Sequence, residues 1–368
     1  MKYLFLYPLS WIYGLVVYFR NQLFDLGILR STEFDVPVIS VGNITVGGTG
    51  KTPQVEYLVN LLHEKYEVVT LSRGYKRKTS GFRFVEINST AAEVGDEPLQ
   101  IKNKFPDITV AVSENRVKGV EMLLDPKNSK VPDVVILDDA FQHRRITPGI
   151  NILLIDYNRQ IKEDTLLPVG RLREGAAQMR RANVIVYTKC PAEVTPILRR
   201  ILQKDVRLKP YQSLFFTTFS YGKIEPLFSA AKLEKSFYTE KSYSVLILSG
   251  IASPNLVYAH LKQYSRKTEL ISFSDHHFYS SADIQKVMTR FDALQTDKKI
   301  IVTTEKDLMR LKDMAGLPDE FKSKLYYLPV QVKFLDDGEN EFNKKILNYV
   351  GENKSNRELH KRTNKRGA

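Results

Sequence analysis

Residues 41–53 read VGNITVGGTGKTP. Gly47, Gly48 and Gly50 lack a Cβ, so backbone N–H groups around Thr49 can converge on phosphate oxygens. Lys51 and Thr52 then open a helical pattern, and a helix starting there aims its positive end at the same anion. Lys51 is spaced to reach β and γ phosphates, and the Thr52 hydroxyl to meet Mg²⁺. The usual first Gly of G-x4-G-K-[ST] is Thr45 here.

Residues 134–145, VVILDDAFQHRR, end an apolar run on Asp138 and Asp139. Carboxylates at a strand's C-terminal edge can hold Mg²⁺ opposite a phosphate loop, and only one need touch the ion or its waters. The competing reading is an acidic turn. Gln142 and His143 read equally as site or packing residues. In VGDEP, residues 94–98, Asp96 and Glu97 stand in a loop stiffened by Gly and Pro. They could serve as base and metal partner, or form a plain surface turn. In SFSDHHFY, residues 272–279, Asp275 precedes His276 and His277. This offers an orienting carboxylate and a proton-carrying imidazole, or merely a helix cap. No Cys or Glu-x-x-His pattern supports zinc. The basic loops SRGYKRK (72–78, with Arg73) and VGRLRE (169–174, with Arg173 and Glu174) suit phosphate contact or simple solvation. TTEKD, residues 303–307, reads as a helix cap with a structural role.

These motifs need strands to end on. Continuous apolar runs at 37–41, 67–71, 108–112, 133–137, 151–155 and 183–187 alternate with helical stretches at 52–64 and 114–124. Runs without polar alternation predict a mostly parallel sheet covered on both faces. The pattern weakens over 212–242, which reads as an extended connection. It restarts at 244–248, 270–273, 299–303 and 325–330, with helices at 255–263, 281–291 and 341–349. The expected fold class is therefore α/β, a P-loop NTPase-like sheet with a second, smaller α/β domain. The expected segments are an N-terminal membrane-associated piece (1–34), the P-loop domain (35–211), the linker (212–242), the smaller domain (243–350) and a disordered basic tail (351–368).

The ends differ sharply. Residues 4–19, LFLYPLSWIYGLVVYF, carry no charge but are short for a bilayer span. Five Tyr and Trp rings lie in or beside the run, and Arg20 follows it, so an interfacial segment is the leading reading. A buried core helix and a true span or signal are the others. Residues 351–368 hold six Lys or Arg against two Glu. The 368-residue chain has 55 Lys and Arg against 42 Asp and Glu, a net charge of +13. Nucleic acid, an anionic membrane and a phosphorylated substrate all fit that excess. One cysteine, Cys190, excludes an internal disulfide and points to a reducing compartment.

VGNITVGGTGKTP, LSRGYKRK, VGDEP, LDDAFQHRR, PVGRLRE, SDHHFY and TTEKD occur in this order. Together they resemble the tetraacyldisaccharide 4'-kinase (lipid A 4'-kinase, LpxK) family from about Pro37 to Asp307. The resemblance implies a peripheral or shallowly inserted enzyme on the cytoplasmic face of the bacterial inner membrane. It implies transfer of the ATP γ-phosphoryl group to the 4'-hydroxyl of an acylated glucosamine disaccharide 1-phosphate. Its cofactors would be ATP and Mg²⁺, its partners that lipid and an anionic membrane surface, without nucleic acid. By motif, Asp96 would be the general base with His276, less readily His277, as its partner. Lys51 and Thr52 would hold phosphates and Mg²⁺, with Asp138, Asp139 and Glu97 on the metal. Arg73, Arg116, Gln142, Arg173 and Glu174 would touch substrate or nucleotide. A membrane-docked nucleotide switch without kinase activity is the alternative.

Overall fold

The computed structural model describes residues 5–127, 130–231, 233–234 and 236–366, with side chains as far as residue 355. Two sheets form its frame. The larger has nine strands in the spatial order Val330–Phe334, Ser213–Tyr221, Val184–Thr188, Ile150–Asp156, Val38–Gly42, Val134–Asp138, Val68–Ser72, Thr109–Val112 and Arg83–Phe84. Only the two edge pairings are antiparallel. The inner strands Val38–Gly42, Val68–Ser72, Val134–Asp138, Ile150–Asp156 and Val184–Thr188 are buried at every position. That is why they read as unbroken apolar runs. Core clusters cover both faces, one built on Ile39, Val55, Leu58 and Ile136, another on Leu71, Val120, Val135 and Leu137.

The smaller sheet has the order Lys267–Ser272, Ser244–Ser249, Lys299–Thr304, Leu325–Leu328 and Glu225–Pro226, antiparallel only at the last pair. Its central strand Ser244–Ser249 is buried throughout.

Three expected stretches differ. Residues 212–242 are not a free extended connection, because Ser213–Tyr221 is a strand of the larger sheet and Glu225–Pro226 an edge of the smaller. The aromatic run hides its periodicity because Phe215 and Phe216 are both buried, one on each face. Residues 330–350 do not pack with the smaller sheet. Val330–Phe334 closes the larger one, and the helix Gly338–Arg366 lies on it through Phe342, Ile346 and Val350. The Tyr349 hydroxyl donates to the Val38 carbonyl at 3.3 Å. The polar tail, read as disordered, continues that helix to Arg366, its polarity fitting a helix with little to bury.

The N-terminal helix Leu6–Asp25 is amphipathic in the inverted sense. Its polar side faces the body: Ser10 Oγ donates to the Leu166 carbonyl at 2.8 Å and the Tyr13 hydroxyl to the Arg173 carbonyl at 2.9 Å. Arg144 pairs with Asp25 at 2.7 Å. Its apolar side faces out, with Leu9, Trp11, Ile12, Leu15, Val16 and Phe19 exposed. This excludes the core-helix reading. Among the described residues no helix is long and apolar enough to cross a membrane.

Candidate active site

The Gly-rich loop leaves the central strand Val38–Gly42 and enters the helix Lys51–Leu62 through Gly50. Gly47 and Gly50 have φ of 108° and 85°, which a side chain rarely tolerates. Thr45 stands where Gly is usual because the chain is extended there, bridged to Leu172, while Val46 N–H donates to the Arg171 carbonyl at 2.8 Å. Other groups fix the loop from behind. Asn43 Nδ2 donates to Thr49 Oγ1 at 2.7 Å, the Thr188 hydroxyl donates to the Thr49 carbonyl at 2.8 Å, and the Lys189 ammonium donates to the Gly48 carbonyl. Lys189 is itself buried against Asp156 at 2.7 Å.

The register pairs Val41 with Asp138, so the acidic strand end lies beside the loop's origin. Asp138 is buried and its Oδ1 has no hydrogen-bond partner. Burial, then the neighbouring Glu97 and Asp139 carboxylates, push it up to about 7. Asp139 behaves oppositely. Burial opposes its ionisation, but Lys51 at 3.6 Å and Arg173 at 3.1 Å hold its carboxyl below the usual range. These adjacent carboxylates thus have different surroundings.

Across from the loop, His276, Lys306 and Arg310 of the smaller sheet's unit meet Asp96 and Glu97, which open the helix Asp96–Lys104 packed on the larger sheet. His276 Nδ1 lies 2.9 Å from Asp96 Oδ2, and Arg310 Nε donates to the same oxygen at 3.0 Å. Burial would raise the Asp96 carboxyl; the His276 hydrogen bond and the Lys306 and Arg310 charges outweigh it and hold it far below the usual range. Glu97 N–H donates to Asp96 Oδ1 at 3.0 Å. His277 turns away, meeting Asp283 at 3.0 Å and stacking on Phe273. Lys306 touches Glu97 Oε1 at 2.9 Å and His276 Nε2 at 3.0 Å.

A cavity of about 150 Å³ separates the two walls. Gly48–Thr52 lie on one side, Asp275 and Thr304–Lys306 on the other, and Phe219, Tyr221, Ile251 and Leu256 at an apolar end. A larger cleft of about 640 Å³ runs from Asp138 and Asp139 to Tyr13, Val17 and Arg20 of the N-terminal helix. Glu97 borders both.

The family described as "Tetraacyldisaccharide-1-P 4'-kinase" (LpxK) matches residues 2–351. The chain belongs to this family. It is 48% identical to the tetraacyldisaccharide 4'-kinase of Phocaeicola vulgatus, covering 95% of this chain and 96% of that one. It is 47% identical to the Bacteroides thetaiotaomicron protein of the same name, over 98% and 96%. Among solved structures it resembles LpxK of Aquifex aeolicus, described as an "apo" form in complex with ATP. There the TM-score is 0.70, the identity 31% and the coverage 95% of this chain and 99% of that one. The α/β fold, with its large mostly parallel sheet and smaller second sheet, is that of an LpxK kinase.

Within this kinase fold, the sequence candidates do not all stand alike. Lys51, Thr52, Asp138, Asp139 and Glu97 converge on the two cavities. Asp96 borders neither; it lines a small void with Tyr75, His276 and Arg310. Arg73 is exposed in the larger cleft. Arg116 lines the same cleft but is buried, and its guanidinium donates to the Ser113 and Asp138 carbonyls. Gln142 ties the loop's strand to Arg173, donating to the Asn43 carbonyl at 2.7 Å and accepting from Arg173 at 3.2 Å. Glu174 is buried against Arg181. Lys306, Arg310 and Lys189 were missed. The signal for the first two was present: Lys306 lies within TTEKD and Arg310 four residues on, so they share a helix face.

Proposed function

We propose that this chain transfers the γ-phosphoryl group of ATP to the 4'-hydroxyl of tetraacyldisaccharide 1-phosphate, giving lipid IVA in lipid A biosynthesis. Family membership supplies the reaction class. The observation that carries the reading is the meeting of two cavities at Glu97. One has the Gly-rich loop and an apolar end suited to ATP. The other is longer and reaches the exposed apolar helix, as a lipid acceptor requires.

Gly47, Gly48, Thr49 and Gly50 would offer backbone N–H groups to the phosphates, with Lys51 on the β and γ oxygens. The donor set fits Mg²⁺. Asp138 Oδ1 has no hydrogen-bond partner, and burial beside two other carboxylates raises its pKa despite the opposing charges of Lys51 and Arg116, so a divalent cation would supply the charge still missing there. Thr52, Asp138, Asp139 and Glu97 would hold the ion or its waters. Bound there, Mg²⁺ would neutralise phosphate charge. Among the described residues no preformed cage of three or more acidic, His or Cys ligands exists. Mg²⁺ needs none, since phosphates and water complete its shell.

Asp96 would accept the 4'-hydroxyl proton, oriented by His276. Its low pKa keeps it ionised, and loose phosphoryl transfer demands little of the base until the new bond is largely formed. It must first turn from Arg310 toward the acceptor, which closure of the smaller sheet on ATP would allow. Arg73 suits the anionic end of the lipid. Gln142, Arg173, Arg116 and Glu174 would shape the cleft rather than reach into solvent for ligand.

The N-terminal helix would lie in the anionic cytoplasmic face of the inner membrane, its apolar side inward. Burial of each large apolar side chain there contributes roughly 1.5–3 kcal/mol. The Trp11→Asp, Leu15→Asp double variant should therefore partition at least about tenfold less into anionic vesicles. Unchanged partitioning would refute the membrane role of this helix. Purified protein incubated with γ-labelled ATP, Mg²⁺ and tetraacyldisaccharide 1-phosphate should place label at the 4' position. Nucleotide binding without transfer would favour the switch reading instead.

A further inference from the structure

The TTEKD motif carries a group that the reaction above leaves unused. Lys306 occupies the first turn of the helix Glu305–Lys312 and borders the nucleotide cavity opposite Lys51 and Thr52. Its ammonium meets Glu97 Oε1 at 2.9 Å, His276 Nε2 at 3.0 Å and Asp275 Oδ1 at 3.4 Å. A lysine serving only to pin two elements needs one carboxylate. This one is shared among three acceptors from two segments and still faces the cavity.

Charge sharpens the point. The smaller sheet's side of the cavity presents Asp275, Glu305 and Lys306. Glu305 is engaged by Lys104 at 3.0 Å. Among the described lining residues of that side, Lys306 is the one cation. Across the cavity Lys189 is committed to Asp156 and the Gly48 carbonyl, leaving Lys51 as the loop's cation toward the phosphates. Transfer spreads negative charge over three equatorial oxygens, and Lys51 covers one side of them. The opposite side would meet carboxylates unless Lys306 intervened.

We propose that Lys306 is a catalytic residue that contacts the γ-phosphoryl oxygens from the side opposite Lys51 and carries positive charge against them as transfer proceeds. The assignment rests on the kinase reading. The O4'–P bond forms, the P–O bond to the β-phosphate breaks, the hydroxyl proton passes to Asp96, and Lys306 stays protonated throughout. Burial opposes that charge, but Glu97, Asp96 and Asp275 outweigh it. The same ammonium sets the tautomer of His276: with Nε2 accepting from Lys306, the ring proton sits on Nδ1 and donates to Asp96.

The test compares wild type, Lys306→Met, Lys306→Arg, and Lys306→Cys before and after aminoethylation. Single-turnover transfer, ADP affinity, thermal unfolding and trapping of ADP with aluminium fluoride are measured. A cation acting on the transferring group is worth about 10³-fold or more. Lys306→Met should lose about that much in turnover and lose the trapped complex, while ADP affinity and unfolding temperature hold. Aminoethylation of the Cys variant should restore a large part of both. Undiminished turnover or trapping in Lys306→Met would overturn the proposal. So would a parallel loss of ADP affinity and folding, which marks a structural tie. Wild-type transfer is scored first: its absence strikes the kinase reading, whereas normal wild type with a normal Met variant strikes only Lys306.

Discussion

The two walls of the nucleotide cavity are built on different principles. The Gly-rich wall is backbone, held from behind by Asn43, Thr188 and Lys189. The facing wall is side chains: Asp275 and Lys306 from the smaller sheet and Glu97 from the helix Asp96–Lys104 line it, tied in one network to Asp96, His276 and Arg310 behind them. A backbone cradle binds phosphate whatever the other wall does. A side-chain network works only when its carriers are in register. The first wall should therefore govern nucleotide binding, and the second the chemical step.

The largest effect that could break this division is at Asp96. Asp96→Asn keeps the shape and accepts from Arg310, but cannot take a proton. Turnover should fall by about 10²–10⁴-fold, with ATP affinity nearly unchanged. Lys51→Ala should weaken ATP binding as well as turnover. Single-turnover rates beside equilibrium ATP titrations check both. Equal loss of ATP affinity in the two variants would erase the distinction between the walls.

The walls also differ in how openly the sequence declares them. A backbone cradle must be contiguous, so its glycines, Lys51 and Thr52 fall in one readable run after a strand. The nine-stranded sheet was legible for a similar reason, since strands buried on both faces leave unbroken apolar runs. The opposite wall is assembled across 214 positions, from Asp96 to Arg310. Only its acidic and His fragments were visible; their convergence was not. TTEKD looked like a cap because Thr304 does cap the helix, accepting from Asp307 N–H at 3.2 Å. The cap and the catalytic candidate occupy the same turn. Residues 213–221 and 330–334 hid for a topological reason: they are far apart in sequence and pair antiparallel at one edge of the larger sheet.

A second, smaller effect tests what holds the side-chain wall together. Arg310 is buried between Asp96 and Asp307, donating to Asp307 Oδ1 and the His277 carbonyl at 3.0 and 3.2 Å. Arg310→Leu would strand two buried carboxylates, at a cost of about 3–5 kcal/mol. Arg310→Lys, with a single point charge, should recover part of that. Urea unfolding of both variants measures the difference. A Leu variant as stable as wild type would mean that the network is not what fixes Asp96.

The smallest expected effect lies where the walls join. Glu56, on the helix Lys51–Leu62, accepts from Gln100 at 2.7 Å and Lys104 at 2.8 Å. Lys104 also holds Glu305, the neighbour of Lys306, at 3.0 Å. Burial pushes Glu56 up to about 7 from its ordinary 4.5, with Lys104 opposing and Glu305 assisting. The folded chain therefore keeps a proton that the unfolded chain has released between those values. Stability should fall as pH rises through this window and level off above about 7. Glu56→Gln retains the Gln100 contact geometry but cannot titrate, so its fall across the window should be smaller by on the order of 2 kcal/mol. Asp138 shifts in the same direction and remains in the variant, so the slope shrinks rather than vanishes. Urea midpoints at pH 5 and pH 8 read this directly. An unchanged slope would place the titrating proton on the loop wall at Asp138 and leave the junction electrostatically inert, which would sharpen the contrast between the walls in the opposite direction.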